Sequence, residues 1–252
     1  VVFSPASGNT TVQLLSPLII SAPGGGTALG FNSAGDVFNI SGQSLTIGSA
    51  GFANDITGLG TFNGNTTSSL ALLGSGPIGT LRFSGTQTLG TLTLDRTLSG
   101  LANLGTELNI STALNLTSGL LVLGTNNITL ASAAVVSGTP SASNMVVTDG
   151  LGRFIKTFST LGAFTFPIGD NTGTTEYSPA TINLTGGTGI AATIGMRVSD
   201  AKHPNNVATV DFLTRHWSSS FNGSITNPVY TFTGNYIQTA SDISGTETNS
   251  LS

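Results

Sequence analysis

Gly79-Thr-Leu-Arg-Phe-Ser-Gly-Thr-Gln-Thr-Leu-Gly-Thr-Leu-Thr-Leu94 holds two matching pentads, Gly79-Thr-Leu-Arg-Phe83 and Gly90-Thr-Leu-Thr-Leu94, alike at their first three residues and offset by 11. Each alternates apolar and polar side chains over a few residues, the pattern of a short strand with one buried face. A looser echo follows in Leu104-Gly-Thr-Glu-Leu108, and the apolar-x-apolar unit recurs before and after: Leu29-Gly-Phe31, Phe38-Asn-Ile40, Leu45-Thr-Ile47, Leu70-Ala-Leu72, Leu108-Asn-Ile110, Leu114-Asn-Leu116 and Ile128-Thr-Leu130. Gly, Ser, Asn or Thr follows nearly every unit and supplies the turns. No stripe of 3.6-residue period appears, so helix is excluded. Repetition of a short strand and turn is the signature of a solenoid. Two units per coil give coils of roughly 20 to 25 residues, and about six coils stacked at ~4.8 Å give a rod near 30 Å long. Leu45, Ile47, Leu81, Phe83, Leu92 and Leu94 should point into it.

The composition agrees. Of 252 residues only 7% are charged, against roughly 25% in an average soluble domain, while Gly reaches 34. The surface must be built of hydroxyls and amides. With 38% hydrophobic residues the chain still has enough apolar surface to offset the entropy of folding. Its apolar runs stay far short of the ~18 residues of a membrane span. A net charge of −4 and no Lys/Arg cluster remove the attraction on which nucleic-acid binding rests. Absence of Cys excludes a disulfide framework and cysteine-ligated zinc.

The charges are unevenly placed. Asp36, Asp55, Arg82, Asp95, Arg96 and Glu107 are the six before Asp149, and twelve follow. Trp217 and Tyr177, Tyr230 and Tyr236 lie in the later part too, and Ser137-Gly-Thr-Pro-Ser-Ala-Ser143 between the parts has linker composition. The expectation is therefore an all-β chain of two domains: a short-strand β-solenoid over residues 1–144 and an antiparallel, immunoglobulin-like β-sandwich over 145–252. The sandwich strands are expected at Met145–Thr148, Arg153–Phe158, Phe164–Ile168, Tyr177–Leu184, Ile190–Val198, Phe212–Ser218 and Val229–Thr233. The segment after Tyr236 is too polar for a closing strand, so the sandwich is expected to be one or two strands short. Pairing from downstream sequence or from a neighbouring copy would complete it, a strand-addition route to arrays or filaments. Val1-Val-Phe3 before Ser4-Pro5 reads as a short extended piece with no partner in the first coil.

Met145-Val-Val-Thr-Asp-Gly150, Phe164-Thr-Phe-Pro-Ile-Gly-Asp170, Tyr177-Ser-Pro179, Asp200-Ala-Lys-His-Pro-Asn205 and Arg215-His-Trp217 resemble a module repeated in very large secreted surface proteins of Bacteroidota-type bacteria. The Gly/Thr/Leu repeat before them resembles the β-helical stretches that precede the module there. The resemblance implies type IX secretion, attachment to the outer surface, and a role in adhesion, gliding or extracellular matrix. Such proteins end in a sorting domain that nothing here resembles, so this implication requires a longer precursor.

Candidate chemistry is sparse. The carboxylates and arginines of the first part are scattered, whereas a catalytic β-helix needs two or three ionisable groups converging. His203 and His216 have no partner at metal-ligand spacing. Asp149, Asp170 and Asp200 sit in or before turns, where Asp caps backbone N–H groups; Ca²⁺ is compatible with such loops without being required. Trp217, with Tyr230 and Tyr236, reads either as a core plug or as a stacking platform for sugar. The Thr-x-Thr pairs Thr86-Gln-Thr88 and Thr91-Leu-Thr93 are not repeated from coil to coil, as an ice-binding array would require, and sequons such as Asn65-Thr-Thr67 are expected by chance in this composition. The reading is thus a non-enzymatic, extracellular structural or adhesive module, with no catalytic or metal residues and no cofactor. Its expected partners are copies of itself, neighbouring domains of a parent chain, or surface glycans. The competing readings are a carbohydrate-binding module and a polysaccharide-active enzyme.

Overall fold

A computed structural model describes residues 2–3, 9–238 and 242–246. Among these there is no helix. The first coil contributes β1 (Val2–Phe3), β2 (Thr11–Gln13) and β3 (Leu18–Ile20), the second β4 (Gly26–Phe31), β5 (Val37–Asn39) and β6 (Ser44–Ile47), and the third β7 (Asn54–Thr57), β8 (Thr61–Asn63) and β9 (Ser69–Ser75). The next coils hold β10 (Gly79–Leu81) and β11 (Thr88–Thr97), then β12 (Leu101–Leu104) and β13 (Leu108–Ser118), then β14 (Leu120–Val122), β15 (Ile128–Leu130) and β16 (Val135–Gly138). After them come β17 (Val146–Val147), β18 (Phe154–Phe158), β19 (Gly162–Phe166), β20 (Ile168–Asp170), β21 (Glu176–Tyr177), β22 (Ala180–Ser199), β23 (Phe212–Leu213), β24 (His216–Gly234) and β25 (Ile243–Ser244).

The chain winds into a β-solenoid of about seven turns. One sheet runs β1-β4-β7 and continues as β10-β12-β14-β17-β20, joined by Ile56 N–H donating to the Ile78 carbonyl at 2.7 Å. A second holds β2-β5-β8, extended by the parallel bridge from Phe62 to Phe83. The third, 11-stranded sheet carries β3, β6, β9, β11, β13, β15 and β18 in parallel order. Leu70 pairs with Leu92 and Leu92 with Leu114, a repeat of 22 residues, so the 11-residue pentad offset is half a coil.

The interior is a set of ladders. Leu45, Leu70, Leu92 and Leu114 stack in one, and Phe38, Phe62 and Phe83 in another, with ring centroids 6.3 and 5.9 Å apart. All six side chains expected to face inward are buried, and each fully buried Leu stabilises the fold by roughly 1.5–3 kcal/mol. Corners must bring the backbones of neighbouring coils close. At Gly58, with φ +86°, a Cβ would stand 1.9 Å from the Phe31 carbonyl oxygen, so no other residue fits.

The coil continues across residue 144. β17 lies parallel on β14, β18 on β15 and β20 on β17, because Val146, Phe154 and Ile168 repeat the inward spacing of the coils below and are buried on them. Antiparallel pairing, expected from residue 145 onward, begins where β22 joins β18 (Phe154 opposite Met196). The first half of β22 pairs with β19 (Phe166 opposite Ala180), and β24 pairs along the whole of β22. This three-stranded ribbon is folded back on itself: Phe154 meets Phe166 with centroids 5.8 Å apart, and Trp217 meets Phe232 at 6.2 Å, contacts no straight ribbon could make. The fold falls at the bulges around Gly186, Gly187 and Thr188. Two facing layers result, hydrogen-bonded to the end of the solenoid's third sheet, where a separate sandwich was expected. The Val2–Phe3 piece does find a partner, β4 of the second coil. The polar C-terminal stretch forms β25 against β23; residues 239–241 and 247–252 lie outside the described residues.

Candidate functional site

The densest group of ionisable side chains lies at the solenoid's far end, around Arg215. This residue immediately precedes β24 and is 1% exposed. Its Nη1 donates to Asp170 Oδ2 at 3.2 Å and to the Ser178 hydroxyl; its Nη2 pairs with Glu176 and, at 2.6 Å, with Asp242. Asp200 stands 4.0 Å away. Asp170, Glu176 and Asp242 are themselves buried. Arg215 is needed because a buried carboxylate without a counter-charge is far costlier than a paired one. One cation cannot compensate every carboxylate. Burial, reinforced by the neighbouring Asp200 and Glu176 charges, outweighs the opposing pull of Arg215 and pushes the Asp170 carboxyl up to about 6.

Above the cluster, the Trp217 indole N–H donates to the Ser178 carbonyl at 2.9 Å, His216 Nδ1 lies 2.9 Å from the Ala201 carbonyl oxygen, and the His203 and His216 rings meet edge to face at 5.0 Å. His203, Asn206, Leu213, Arg215, His216 and Trp217 line a shallow groove. Segments apart in sequence, Phe164–Asp170, Tyr177–Pro179, Asp200–Asn205 and Arg215–Trp217, are thus brought to one place. Among the described residues no three His, Cys, Asp or Glu side chains are grouped to hold a metal ion. The arrangement ties β20, β21, the end of β22, the start of β24 and the C-terminal segment together.

Of the sequence candidates, Asp170, Asp200, His203, His216 and Trp217 come to this place and the others stay apart. Asp36 caps backbone, accepting from Thr10 and Ser33 N–H at 2.9 Å each. Asp149 accepts from the Thr172 hydroxyl at 3.1 Å and Asp200 only skirts the Arg215 group. Asp170, expected as a turn cap, does accept from Thr172 N–H at 3.3 Å, but its main role is in the ion cluster. Trp217 is half-buried against Phe232, while Tyr230 is exposed on β24. Asn65 of the sequon is a turn residue, accepting from Thr67 N–H at 2.9 Å.

Two buried cations escaped sequence reading. Arg96 donates to the carbonyls of Gly76, Leu73, Asn54 and Ser75 at 2.7, 2.6, 2.8 and 2.5 Å, and burial pulls its guanidinium below the ordinary value, partly offset by Asp55. Lys156, which follows Leu130 in an inward ladder, donates to Ala131, Ser132 and Ala134 at 2.7, 2.9 and 2.6 Å, and desolvation lowers its pKa. Both are held by hydrogen bonds to backbone carbonyls.

Compared with protein-family models, curated proteins and solved structures, the chain finds no match in any of the three.

Proposed function

We propose that this chain is an extracellular structural or adhesive module of a secreted bacterial surface protein, a stiff solenoid ended by a folded β cap. The observation that supports it is how the ionisable groups are used. The densest cluster is sealed inside the end cap and spent on internal ion pairing, and Arg96 and Lys156 are spent on backbone carbonyls. The outward strand faces carry neutral ladders instead, such as Thr93, Asn115 and Ser137, linked at 3.0 and 2.5 Å. Such a surface suits contact and display, while chemistry requires accessible convergent groups. The test is labelling of intact producing cells with an antibody raised against the purified chain. Label on unpermeabilised cells supports the reading; label only after lysis overturns it.

A carbohydrate-binding reading draws on one observation, the exposed rings of Tyr230 and Phe232 on β24. Binding on a glycan array that is lost in Tyr230→Ala would favour it.

A further inference from the structure

β24 is the outer edge of the 11-stranded sheet, and among the described residues β22 is its one strand partner. An edge of 19 residues is long, and natural edges of that kind are protected by charge, covering or interruption. This one carries no Lys, Arg, Asp or Glu between His216 and Gly234, and its interruptions, Pro228 with the positive-φ Gly223 and Asn227, gather about the bend and leave the two arms on either side regular. Cross-strand neighbours share a face, so the buried Val198, Met196 and Ile194 of β22 fix Trp217, Ser219 and Phe221 as inward-facing in one layer. Ala180, Ile182 and Leu184 likewise fix Gly234, Phe232 and Tyr230 in the other. Yet Phe221, Phe232 and Tyr230 are 58%, 46% and 60% exposed. The two layers cover one another over β18, β19 and β22, but along β24 they are open, and its inward rings stay about half exposed.

The two halves of the edge complement one another. A two-fold axis through the bend, between Ile225 and Thr226 and normal to the sheet, sets Phe221 opposite Tyr230 of a second copy. It also sets Ser219 opposite Phe232 and Trp217 opposite Gly234 of that copy, so inward positions meet only inward positions. The odd spacing this requires is supplied by the irregular register of the bend, which reverses the alternation between Phe221 and Tyr230. We propose that a second copy of this chain occupies the edge, β24 pairing antiparallel with β24 in a closed two-fold dimer that joins the two folded ribbons into one continuous sandwich. No charge opposes the pairing. Each half-exposed ring has on the order of 100 Å² to bury, and with a backbone strip ~60 Å in contour length each copy approaches the ~800 Å² of a standard interface. The dimer does not depend on the surface location proposed above, so either idea can fail alone.

Sedimentation velocity of the purified chain between about 1 and 100 μM should give a dimer. Phe221→Lys and Tyr230→Lys should each shift it to monomer with an unchanged far-UV circular dichroism spectrum. Because the chain has no Cys, an oxidised mixture of Phe221→Cys and Tyr230→Cys chains should yield a disulfide-linked dimer on a non-reducing gel, and neither variant alone should. A monomer throughout that concentration range, an open-ended polymer, a dimer indifferent to both Lys substitutions, or cross-linking of either Cys variant with itself would overturn the proposal. So would a monomer that binds glycans through Tyr230.

Discussion

Inside the solenoid, a side chain's worth is set by its place in a ladder. Leu92 lies between Leu70 and Leu114 and is fully buried, so its neighbours above and below cannot collapse without disturbing their own strands. Leu92→Ala should lower stability by ~2–5 kcal/mol, read as a shift of the urea midpoint at unchanged slope. Asp170 has the opposite character, as a group whose proton the fold retains to a higher pH than the unfolded chain does. Its carboxyl titrates near 3.8 when unperturbed and at about 6 in the folded chain. The folded state therefore binds the extra proton between those values. The stability this gives is fully present below pH ~4, falls as pH rises to about 6, and stays lost above it; the full span is about 3 kcal/mol. Urea titrations at pH 4, 5, 6 and 7 should find that wild type loses stability over this range relative to Asp170→Asn, whose amide cannot ionise. Parallel pH profiles of the two proteins would contradict the assignment.

Among elements, the folded ribbon depends on backbone approach as much as on apolar burial. At Gly223, with φ +101°, an added Cβ would sit 2.2 Å from the Ala191 carbonyl oxygen, forcing both strain and a clash within the β22–β24 ladder. Gly223→Ala should destabilise the cap by more than the ~1 kcal/mol of an ordinary Gly–Ala exchange, and near-ultraviolet circular dichroism at Trp217 should report loss of its packing while the solenoid strands persist. Elements of this kind were partly legible in the sequence. Alternating apolar residues over Ile190–Val198 and Phe164–Ile168 announced half-buried strands, and Gly186-Gly187 announced a break between two of them. The sequence could not say that the break is a fold within one continuous strand, because bulge and hairpin use the same residues. The coil's continuation past residue 144 was masked by composition: charges and aromatics become commoner there while the inward spacing does not change. The Arg215 cluster was hidden differently. Its partners lie 15 to 45 residues away, beyond any local period, though four of the five quoted segments of the resemblance turned out to converge on it.

At the scale of the whole molecule, the solenoid is quasi-one-dimensional: each coil is held by the coils on either side. Among the described residues a coil in the middle pairs on both sides, the first coil on one, and β24 with β22 alone. Local opening should therefore cost least at the two ends and most in β9, β11 and β13, whose inward residues Leu70, Leu92 and Leu114 are fully buried. Amide hydrogen exchange followed by mass spectrometry should give the slowest exchange over residues 69–118 and faster exchange in β2 and β3. The second half of β24 offers the sharpest comparison. In the single chain every other N–H along an antiparallel edge strand faces solvent and should exchange quickly, whereas β24–β24 pairing would protect those amides. Exchange at residues 229–234 should accordingly slow as concentration rises through the range in which the dimer forms, while residues 69–118 stay unchanged. Uniform protection from one end to the other, independent of concentration, would mean that the cap and the coils open as one unit and that the stacked description of this chain is wrong.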